Sequence, residues 1–277
     1  MKPLCIYHGN CADGFGAAWV VRKALGDVDF HAGDYQNPPP DVTGRDVYIV
    51  DFSYKRPVLL AMAETADGIA LIDHHKTAAA DLTMLPANVD SIFDMEHSGA
   101  ILAWNYWFSD KSAPQLLHHI EDRDLWRFAL AGTREIQANV FSHPYDFAVW
   151  DELMQRPVAD LIAEGRAIER KHFKDINELL PVVTRRMVIG GYNVPVANLP
   201  YVHASDAGNK LCAGEPFAGC YWDTPKGRTF SLRSTDAGVD VSEIAKRYGG
   251  GGHRNASGFT VSYSAAAGFE SDRRDES

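Results

Sequence analysis

Short apolar runs alternate with stretches of helical spacing in the first half of the chain. The runs predict three strands, Leu4–Tyr7, Asp46–Val50 and Ile69–Ile72. The predicted helices are Gly14–Leu25, Pro57–Thr65 and Ser98–Phe108, the last with Ser98 as its N-cap. Strands that alternate with helices are typical of βαβ units, so we predict an α/β domain with a mainly parallel sheet flanked by helices.

Each of these strands runs into ionisable residues. His8 follows the first strand, Asp51 the second, and Asp73, His74 and His75 the third. Ligands of open α/β sheets bind beyond the carboxyl ends of the strands. We therefore expect the three strand ends to bring His and Asp side chains to one edge of the sheet.

The second half begins with an amphipathic helical stretch, Pro157–Leu180. Beyond it the pattern predicts strands at Arg186–Ala197, Ala218–Trp222, Thr229–Arg233 and Phe259–Tyr263, and a helix at Val241–Tyr248. The predicted organisation is a catalytic domain over 1–155, a linker helix over 156–183, a smaller α+β domain over 184–264 and a disordered tail over 265–277.

Composition narrows the function classes. The chain has 277 residues, of which 45% are hydrophobic and 23% charged, which argues against a disordered protein. The net charge of −10 argues against a surface for long duplex nucleic acid, which needs many Lys and Arg contacts to phosphate. A small phosphorylated substrate stays compatible, since a bound metal supplies positive charge locally.

The four cysteines are scattered and lack a C-x-x-C pair, so we predict reduced thiols. No apolar run reaches the roughly 20 residues that span a bilayer, and the first residues lack a signal-peptide core. The expectation is a cytoplasmic protein without a membrane partner, and a homodimer is compatible with the sequence.

The ionisable residues at the strand ends are candidate metal ligands. Alone, a His or Asp at a strand end is more often structural, and Asp51 could equally be a turn residue or a helix N-cap. Together, imidazoles and carboxylates suit Mn²⁺, Fe²⁺ or Zn²⁺, and a carboxylate shared by two ions is suited to water activation for attack on phosphorus. Asp51, central in order, is the natural bridge. The acidic segment 118–126 is the source of a further carboxylate, unless it is only a solvated helix end.

Five segments in order resemble the DHH/DHHA1 phosphoesterase superfamily. They are HGNCADGFGAA from His8, YIVDF around Asp51, LIDHH ending at His75, IEDRDLW ending at Trp126, and FSLRS followed by IAKRYGGGGHRNASGF in the C-terminal part. The resemblance covers about residues 4–262.

The resemblance implies a function for each of these residues. The implied metal ligands, usually for two Mn²⁺ ions, are His8, Asp13, Asp51, His74 and Asp122. Asp73 would orient an imidazole, and His75 would contact the scissile phosphate or protonate the leaving oxygen. Both count here as catalytic residues.

Two positions of the metal set stay open. Cys11 stands where the family has the first Asp of a D-x-D pair, so it is a thiolate ligand, a bystander or the sign of a weakened metal site. Asp122 is preferred to Asp124 because the family's aromatic residue follows four positions later, as Trp126 does.

The C-terminal glycine run can be a plain helix C-cap and flexible loop, although one glycine would suffice for that. Four glycines before His253 and Arg254 favour a backbone that approaches an anion closely. With the resemblance, the implied substrate-binding residues are Arg233, Gly250, Gly251, Gly252, His253 and Arg254.

The sequence therefore predicts an Mn-dependent phosphohydrolase acting on short nucleotides: an oligonucleotide (as a 3′–5′ exonuclease), a dinucleotide or a 3′-phosphorylated nucleotide. Two alternatives stay open. One is a pyrophosphatase or polyphosphatase on the same core. The other is a non-catalytic nucleotide sensor, motivated by Cys11.

Overall fold

The computed structural model describes residues 1–34 and 37–269. The chain divides into two compact units, Met1–Arg170 and Lys171–Ser277.

The first unit is built on a five-stranded sheet in the order β2-β1-β3-β4-β5, with every neighbouring pair parallel. The strands are β1 Leu4–His8, β2 Asp29–Gly33, β3 Asp46–Val50, β4 Gly68–Asp73 and β5 Val89–Phe93. The predicted parallel α/β sheet is confirmed, and β1, β3 and β4 are its three central strands. The edge strands β2 and β5 were missed because both carry mostly polar or exposed residues.

Helices connect these strands and continue after the sheet. They are α1 Ala12–Leu25, α2 Arg56–Ala63, α3 Lys76–Asp81, α4 Gly99–Phe108, α5 Gln115–Asp124, α6 Thr133–Val140 and α7 Phe147–Leu153. The prediction of Ser98 as the N-cap of α4 is confirmed, because its Oγ accepts a hydrogen bond from the Ile101 N–H. The long helix α8, Val158–Val183, begins in the first unit and continues into the second.

Both faces of the parallel sheet are buried. Leu4 and Ile6 of β1 belong to one apolar cluster together with Leu59 of α2, whereas Cys5 belongs to the opposite cluster together with Ala17 of α1. Strands covered on both faces read as continuous apolar runs, which is why these strands were visible in the sequence.

The second unit contains a six-stranded mixed sheet in the order β10-β11-β9-β8-β7-β6, in which only the β7–β8 pair is parallel. Its strands are β6 Thr184–Ile189, β7 Tyr192–Asn198, β8 Ala218–Thr224, β9 Gly227–Arg233, β10 Gly251–Gly252 and β11 Ala256–Val261. Its further helices are α9 Ala204–Leu211, α10 Val241–Lys246 and α11 Tyr263–Ala267.

Two sequence predictions for this unit need correction. The single strand 186–197 is a hairpin of β6 and β7, because Gly190 and Gly191 adopt positive φ and turn the chain. The last strand ends at Val261, since the Oγ of Ser262 accepts from the Ala265 N–H and starts α11.

The prediction of a disordered tail from residue 265 does not hold for residues 265–269. Ala266 and Phe269 are buried, and the Phe269 ring packs edge-on against Phe230, Tyr248 and Phe259. The alanine run reads as low-complexity sequence, but it forms a capped turn of helix that delivers the aromatic ring to the core. Residues 270–277 lie outside the described part of the chain.

Two expectations made from composition can be compared with the described residues. All four cysteines are free thiols, as predicted. Among the helices in residues 1–34 and 37–269, none has both the length and the apolarity to cross a membrane.

Candidate metal centre and its surroundings

The carboxyl ends of β1, β3 and β4 bring His8, Asp51 and His74 together. The Nε2 atom of His74 lies 3.0 Å from Oδ1 of Asp51, and the Nδ1 atom of His8 lies 3.5 Å from Oδ2 of the same residue. Since the three strands are neighbours in one parallel sheet, their side chains converge as the sequence predicts.

Asp51 occupies a strained position between the two imidazoles. Its backbone has φ +53°, a left-handed conformation that is uncommon for a residue with a side chain. Its carboxylate is buried, and neither oxygen has a hydrogen-bond donor in acceptable geometry. A buried anion that faces two imidazole nitrogens without donors is arranged as a metal ligand would be.

Asp13 reaches the same place from the first turn of α1. Its Oδ2 accepts from the Gly99 N–H at 2.6 Å and its Oδ1 from the Ala100 N–H at 3.1 Å, and Oδ2 also lies 3.8 Å from Nε2 of His74. The N-terminus of α4 therefore holds the carboxylate in one orientation.

Two glycines permit this close packing. A Cβ atom on Gly99 would lie 2.4 Å from Cβ of Asp51, and one on Gly14 would lie 2.3 Å from the carbonyl oxygen of His8. Any side chain at these positions would push α4 or α1 away from the strand ends. The sequence predicted both helices, but it gave no sign that the Gly99 and Ala100 amides hold Asp13.

The third carboxylate beside His74 is that of Asp124, not that of Asp122. Oδ2 of Asp124 lies 3.5 Å from Nε2 of His74. The Asp122 carboxylate instead accepts hydrogen bonds from the Ala129 and Leu130 amides and from Oγ1 of Thr133. The preference for Asp122 depended on the spacing to Trp126, and spacing cannot show that the side chain faces its own loop.

Asp73, which is buried, and His75, which is partly buried, form a pair beside this group. Nδ1 of His75 lies 2.7 Å from Oδ1 of Asp73, whose Oδ2 accepts from Oγ of Ser53 at 2.5 Å. Asp73 thus orients the imidazole of His75 through Nδ1, and Nε2 is the ring nitrogen that does not contact Asp73. Ser53 was missed, because a serine after a strand carries no signal by itself.

The Cys11 thiol lies among the same residues. It interacts with His8 and is close enough to Asp51 and Asp124 to feel their charges. Burial raises the pKa of this thiol. The three interpretations of Cys11 stay open.

The charges of the cluster shift one another's pKa values. Burial opposes protonation of His8 and His74, but interaction with Asp51 outweighs burial and raises the pKa of both well above its ordinary value. Burial, with the charges of Asp51 and Asp124, raises the pKa of Asp13 well above its usual value.

The other two carboxyls shift in the opposite direction. Burial would raise the pKa of Asp51, but the two imidazoles lower it far below the usual range. Burial would likewise raise the pKa of Asp73, but the charge and hydrogen bond of His75 lower it to about 2.

The donor set fits divalent metal ions. Asp13, Asp51 and His74 offer ligand atoms within 4.8 Å of one another, and so do His8, Asp51 and His75. Asp51 belongs to both groups, which is the position that a bridging carboxylate needs. The mixture of imidazole nitrogen and carboxylate oxygen suits Mn²⁺, Fe²⁺ or Zn²⁺.

In the second unit, Arg233 and the glycine run lie on β9 and β10, the two strands on either side of β11. Arg233 of β9 is paired with Ala256 of β11, and Ser257 of β11 is paired with Gly252 of β10. The Arg233 guanidinium donates to Oγ of Ser231, to Oγ of Ser205 and to the carbonyl of Leu232. Ser205, which the sequence did not single out, thus fixes the direction of Arg233.

Much of the glycine run is engaged within its own unit. The Gly250 amide donates to the Ala245 carbonyl and the His253 amide to the Ala256 carbonyl. The Arg254 guanidinium donates to the carbonyls of Asp236 and Gly238. A Cβ on Gly250 would lie 2.0 Å from the Gly258 carbonyl oxygen, so close strand packing explains that glycine. The predicted substrate contacts of 250–254 stay predictions.

Comparison with known proteins identifies one related sequence. No family model matches the chain. An uncharacterised protein, R106, of Acanthamoeba polyphaga mimivirus is 32% identical over 285 residues, which cover 94% of this chain and 67% of that protein.

Two solved structures are similar over nearly the whole chain. The pGpG-specific phosphodiesterase PggH from Vibrio cholerae has a TM-score of 0.52 and 14% identity, over 96% of this chain and 95% of that one. An exopolyphosphatase-related protein from Bacteroides fragilis has a TM-score of 0.52 and 15% identity, over 94% of this chain and 87% of that one. The chain shares the fold of these two proteins, and it belongs to the same family as the mimivirus protein R106.

Proposed function

We propose that this protein is a metal-dependent phosphoesterase that hydrolyses phosphodiester or terminal phosphoester bonds of short nucleotides. The observation that carries the proposal is Asp51, buried between His8 and His74 with both carboxylate oxygens lacking donors. A cluster of three carboxylates and two imidazoles has little structural use and is costly to bury unless cations bind to it.

The residues that would hold two ions are His8, Asp13, Asp51, His74 and Asp124, and Mn²⁺ is the ion we expect. Such ions supply a nucleophile by lowering the pKa of water, and they stabilise charge on the phosphoryl oxygens. The N-terminus of α4 and the strand ends hold the carboxylates in place before substrate binds, so little reorganisation is needed during the reaction.

His75 is the proposed proton donor. Asp73 accepts a hydrogen bond from Nδ1–H of His75, so the imidazolium form of His75 carries its second proton at Nε2. From there the proton can pass to the leaving oxygen of the substrate. Asp73 does not touch the substrate in this scheme and acts as a positioning residue.

The substrate is proposed to be small because the chain is strongly acidic. The phosphodiesterase and the exopolyphosphatase-related protein that share the fold suggest which substrates to compare: a dinucleotide and inorganic polyphosphate. Arg233 of the second unit, its guanidinium held by Ser205 and Ser231, is the proposed contact for a terminal phosphate.

The test is a substrate panel with purified protein that has been stripped of metal and then supplied with Mn²⁺. We expect release of mononucleotide from pApA and pGpG, slower release of phosphate from pyrophosphate, and no turnover without metal. Faster turnover of pyrophosphate or polyphosphate would replace the proposal with the inorganic alternative. Tight dinucleotide binding without turnover at any Mn²⁺ concentration would make the protein a sensor.

A further inference from the structure

Two histidines of the second unit bring their ring nitrogens together. His172 lies on α8, and His203 ends the 3₁₀ turn Tyr201–His203 that leads into α9. Their Nδ1 atoms are 3.3 Å apart, and their ring centroids are 5.1 Å apart. The two residues are separated by 31 positions in the chain, so tertiary packing and not local sequence makes the pair.

Asp206 of α9 determines which nitrogen of His172 carries the hydrogen. Oδ2 of Asp206 lies 2.9 Å from Nε2 of His172, and a carboxylate only accepts hydrogen bonds. The Nε2 atom therefore donates, so the neutral ring has its lone pair on Nδ1, the atom that faces His203. A carboxylate that accepts from the outer nitrogen of a histidine is the usual support of an imidazole that binds a metal ion.

The separation of the two Nδ1 atoms matches a tetrahedral metal site. Zn²⁺ binds imidazole nitrogen at about 2.0–2.1 Å in tetrahedral geometry, which places two ligand nitrogens about 3.3 Å apart. Neighbouring ligands of a square-planar Cu²⁺ or Ni²⁺ ion would lie only about 2.8 Å apart. A hydrogen bond between the two rings is the alternative, and 3.3 Å is long for such a bond.

Asp175 offers a further ligand on α8. It lies three positions after His172, a spacing that places two side chains on the same face of a helix. Its charge also acts on the imidazole of His203. The Asp175 carboxylate pairs with the exposed side chain of Lys171, and because an ion pair in solvent is weak, the carboxylate can turn toward a bound ion.

The pair is accessible, and the second imidazole is in the state that binds metal. The side chains of His172 and Asp206 are partly exposed, so an ion can reach them. Burial and the neighbouring His172 lower the pKa of His203, whereas the charges of Asp175 and Asp206 oppose this shift. The neutral ring is the form of histidine that binds a metal ion.

We propose that His172 and His203 bind one Zn²⁺ ion through their Nδ1 atoms, with Asp175 as a third ligand and Asp206 as the support of His172. The ion would join α8 to the 3₁₀ turn and to the start of α9, and would stabilise this part of the second unit. The site shares no residue with the candidate metal centre. The inference therefore does not depend on the proposed phosphoesterase function.

The first experiment measures Zn²⁺ binding by calorimetry on metal-stripped protein that carries Asp51→Asn, which weakens the candidate metal centre. His203→Gln is added to remove one ligand, and Asp206→Asn to remove the support of the other. His31→Gln is the matched control, because His31 is a partly buried histidine on β2 of the first unit. Thermal unfolding with and without Zn²⁺ and circular dichroism are recorded for each protein.

We expect His203→Gln to lose one equivalent of bound Zn²⁺, together with the rise in thermal midpoint that this equivalent produces. Asp206→Asn should keep the equivalent but bind it about 10- to 100-fold more weakly. His31→Gln should match the Asp51→Asn parent in both measurements. A circular dichroism spectrum equal to that of the parent shows that a variant is folded.

A crystal of the unaltered protein grown with Zn²⁺ gives a measurement that needs no variant. Anomalous scattering at the zinc absorption edge should show an ion between the two Nδ1 atoms, about 2.0–2.1 Å from each. The inference would be overturned by the absence of this anomalous density, or by an unchanged number of Zn²⁺ ions bound to His203→Gln. Zn²⁺ binding at this site needs no turnover, so a protein that hydrolyses no phosphoester would remove the proposed function alone.

Discussion

The candidate metal centre of the first unit differs from the region of Arg233 and residues 250–254 in the second unit. The two differ in whether their polar groups have hydrogen-bond partners within the protein. At the candidate metal centre, both oxygens of Asp51 are buried, and the groups that face them are the imidazole nitrogens of His8 and His74. In the second unit, the Arg254 guanidinium and the Gly250 and His253 amides already have acceptors within the unit. Both regions carry segments that the sequence marks as functional.

This difference distinguishes polar residues that need a ligand as a partner from polar residues whose hydrogen bonds stabilise the local structure. Buried polar atoms without partners are costly, so they persist where something else binds them. Satisfied groups need no ligand to explain them. By this criterion we propose Asp51 as a ligand position and Asp122 and Arg254 as supports. The Arg233 guanidinium is also satisfied within its own unit, so its proposed contact with substrate rests on the resemblance alone.

The strongest effect is expected for Asp51→Asn. The amide keeps the shape but loses the charge shared between the two imidazoles, so we expect Mn²⁺-dependent hydrolysis to fall about a thousandfold. Hydrolysis of pApA and calorimetric Mn²⁺ binding measure the change. Asp90→Asn, at an exposed position on β5, is the control and should leave both unchanged. Retention of full activity by Asp51→Asn would remove the ligand assignment.

The second prediction distinguishes Asp124 from Asp122. Asp124→Asn should lower kcat about a hundredfold and leave urea unfolding nearly unchanged, because its carboxylate faces His74. Asp122→Asn should instead lower the free energy of unfolding by about 2 kcal/mol, because its carboxylate accepts three hydrogen bonds from its loop. The reverse pattern would restore Asp122 as the metal ligand.

The third prediction concerns metal-stripped protein as pH rises. His8, His74 and Asp13 have raised pKa values in the folded state, so the folded protein binds more protons than the unfolded chain. The stability from the histidines is fully present below about pH 6.5 and is lost as pH rises through their folded pKa values.

Urea unfolding at pH 6, 7, 8 and 9 measures this loss, expected at about 1 kcal/mol per pH unit. Mn²⁺ displaces the protons and should therefore stabilise the protein more at pH 8 than at pH 6. The lowered pKa of Asp51 affects stability only below about pH 4, outside this range. A stability that rises from pH 6 to 8 without metal would contradict the arrangement of charges.

The smallest effect is expected for Arg254→Gln. Loss of its hydrogen bonds to two carbonyls at the surface should cost about 1 kcal/mol of stability or less and leave KM for pApA unchanged. Arg233→Gln, compared in the same assay, should raise KM. If Arg254→Gln raised KM while the thermal midpoint stayed constant, the contrast between supporting and ligand-binding residues would fail in the second unit.

Most of the fold could be read from the sequence where both faces of a strand are buried. β1, β3 and β4 are apolar throughout, and their ends gave the correct meeting place for His8, Asp51 and His74. β2 and β5 lie at the sheet edges, where exposure removes the apolar signal. The turn at Gly190 and Gly191 between β6 and β7 was not predicted, because the residues on both sides of it have the same strand-like pattern.

Side-chain direction was the part of the site that the sequence could not supply. Asp122 and Asp124 are two residues apart on the last turn of α5, and only the folded loop shows which of them faces His74. Likewise, the amides that hold Asp13 come from α4, some 86 positions later in the chain. Contacts of this kind depend on tertiary packing and leave no local pattern.

The left-handed backbone of Asp51 lowers the stability of the fold at a residue that is proposed to bind metal ions. Glycine would adopt the same φ without steric cost, a relief of about 1 kcal/mol. Selection for relief of the backbone alone would favour Asp51→Gly, which removes the acid proposed to bind ions. Any effort to stabilise this protein therefore has to keep an acid at position 51, although the left-handed φ there favours glycine.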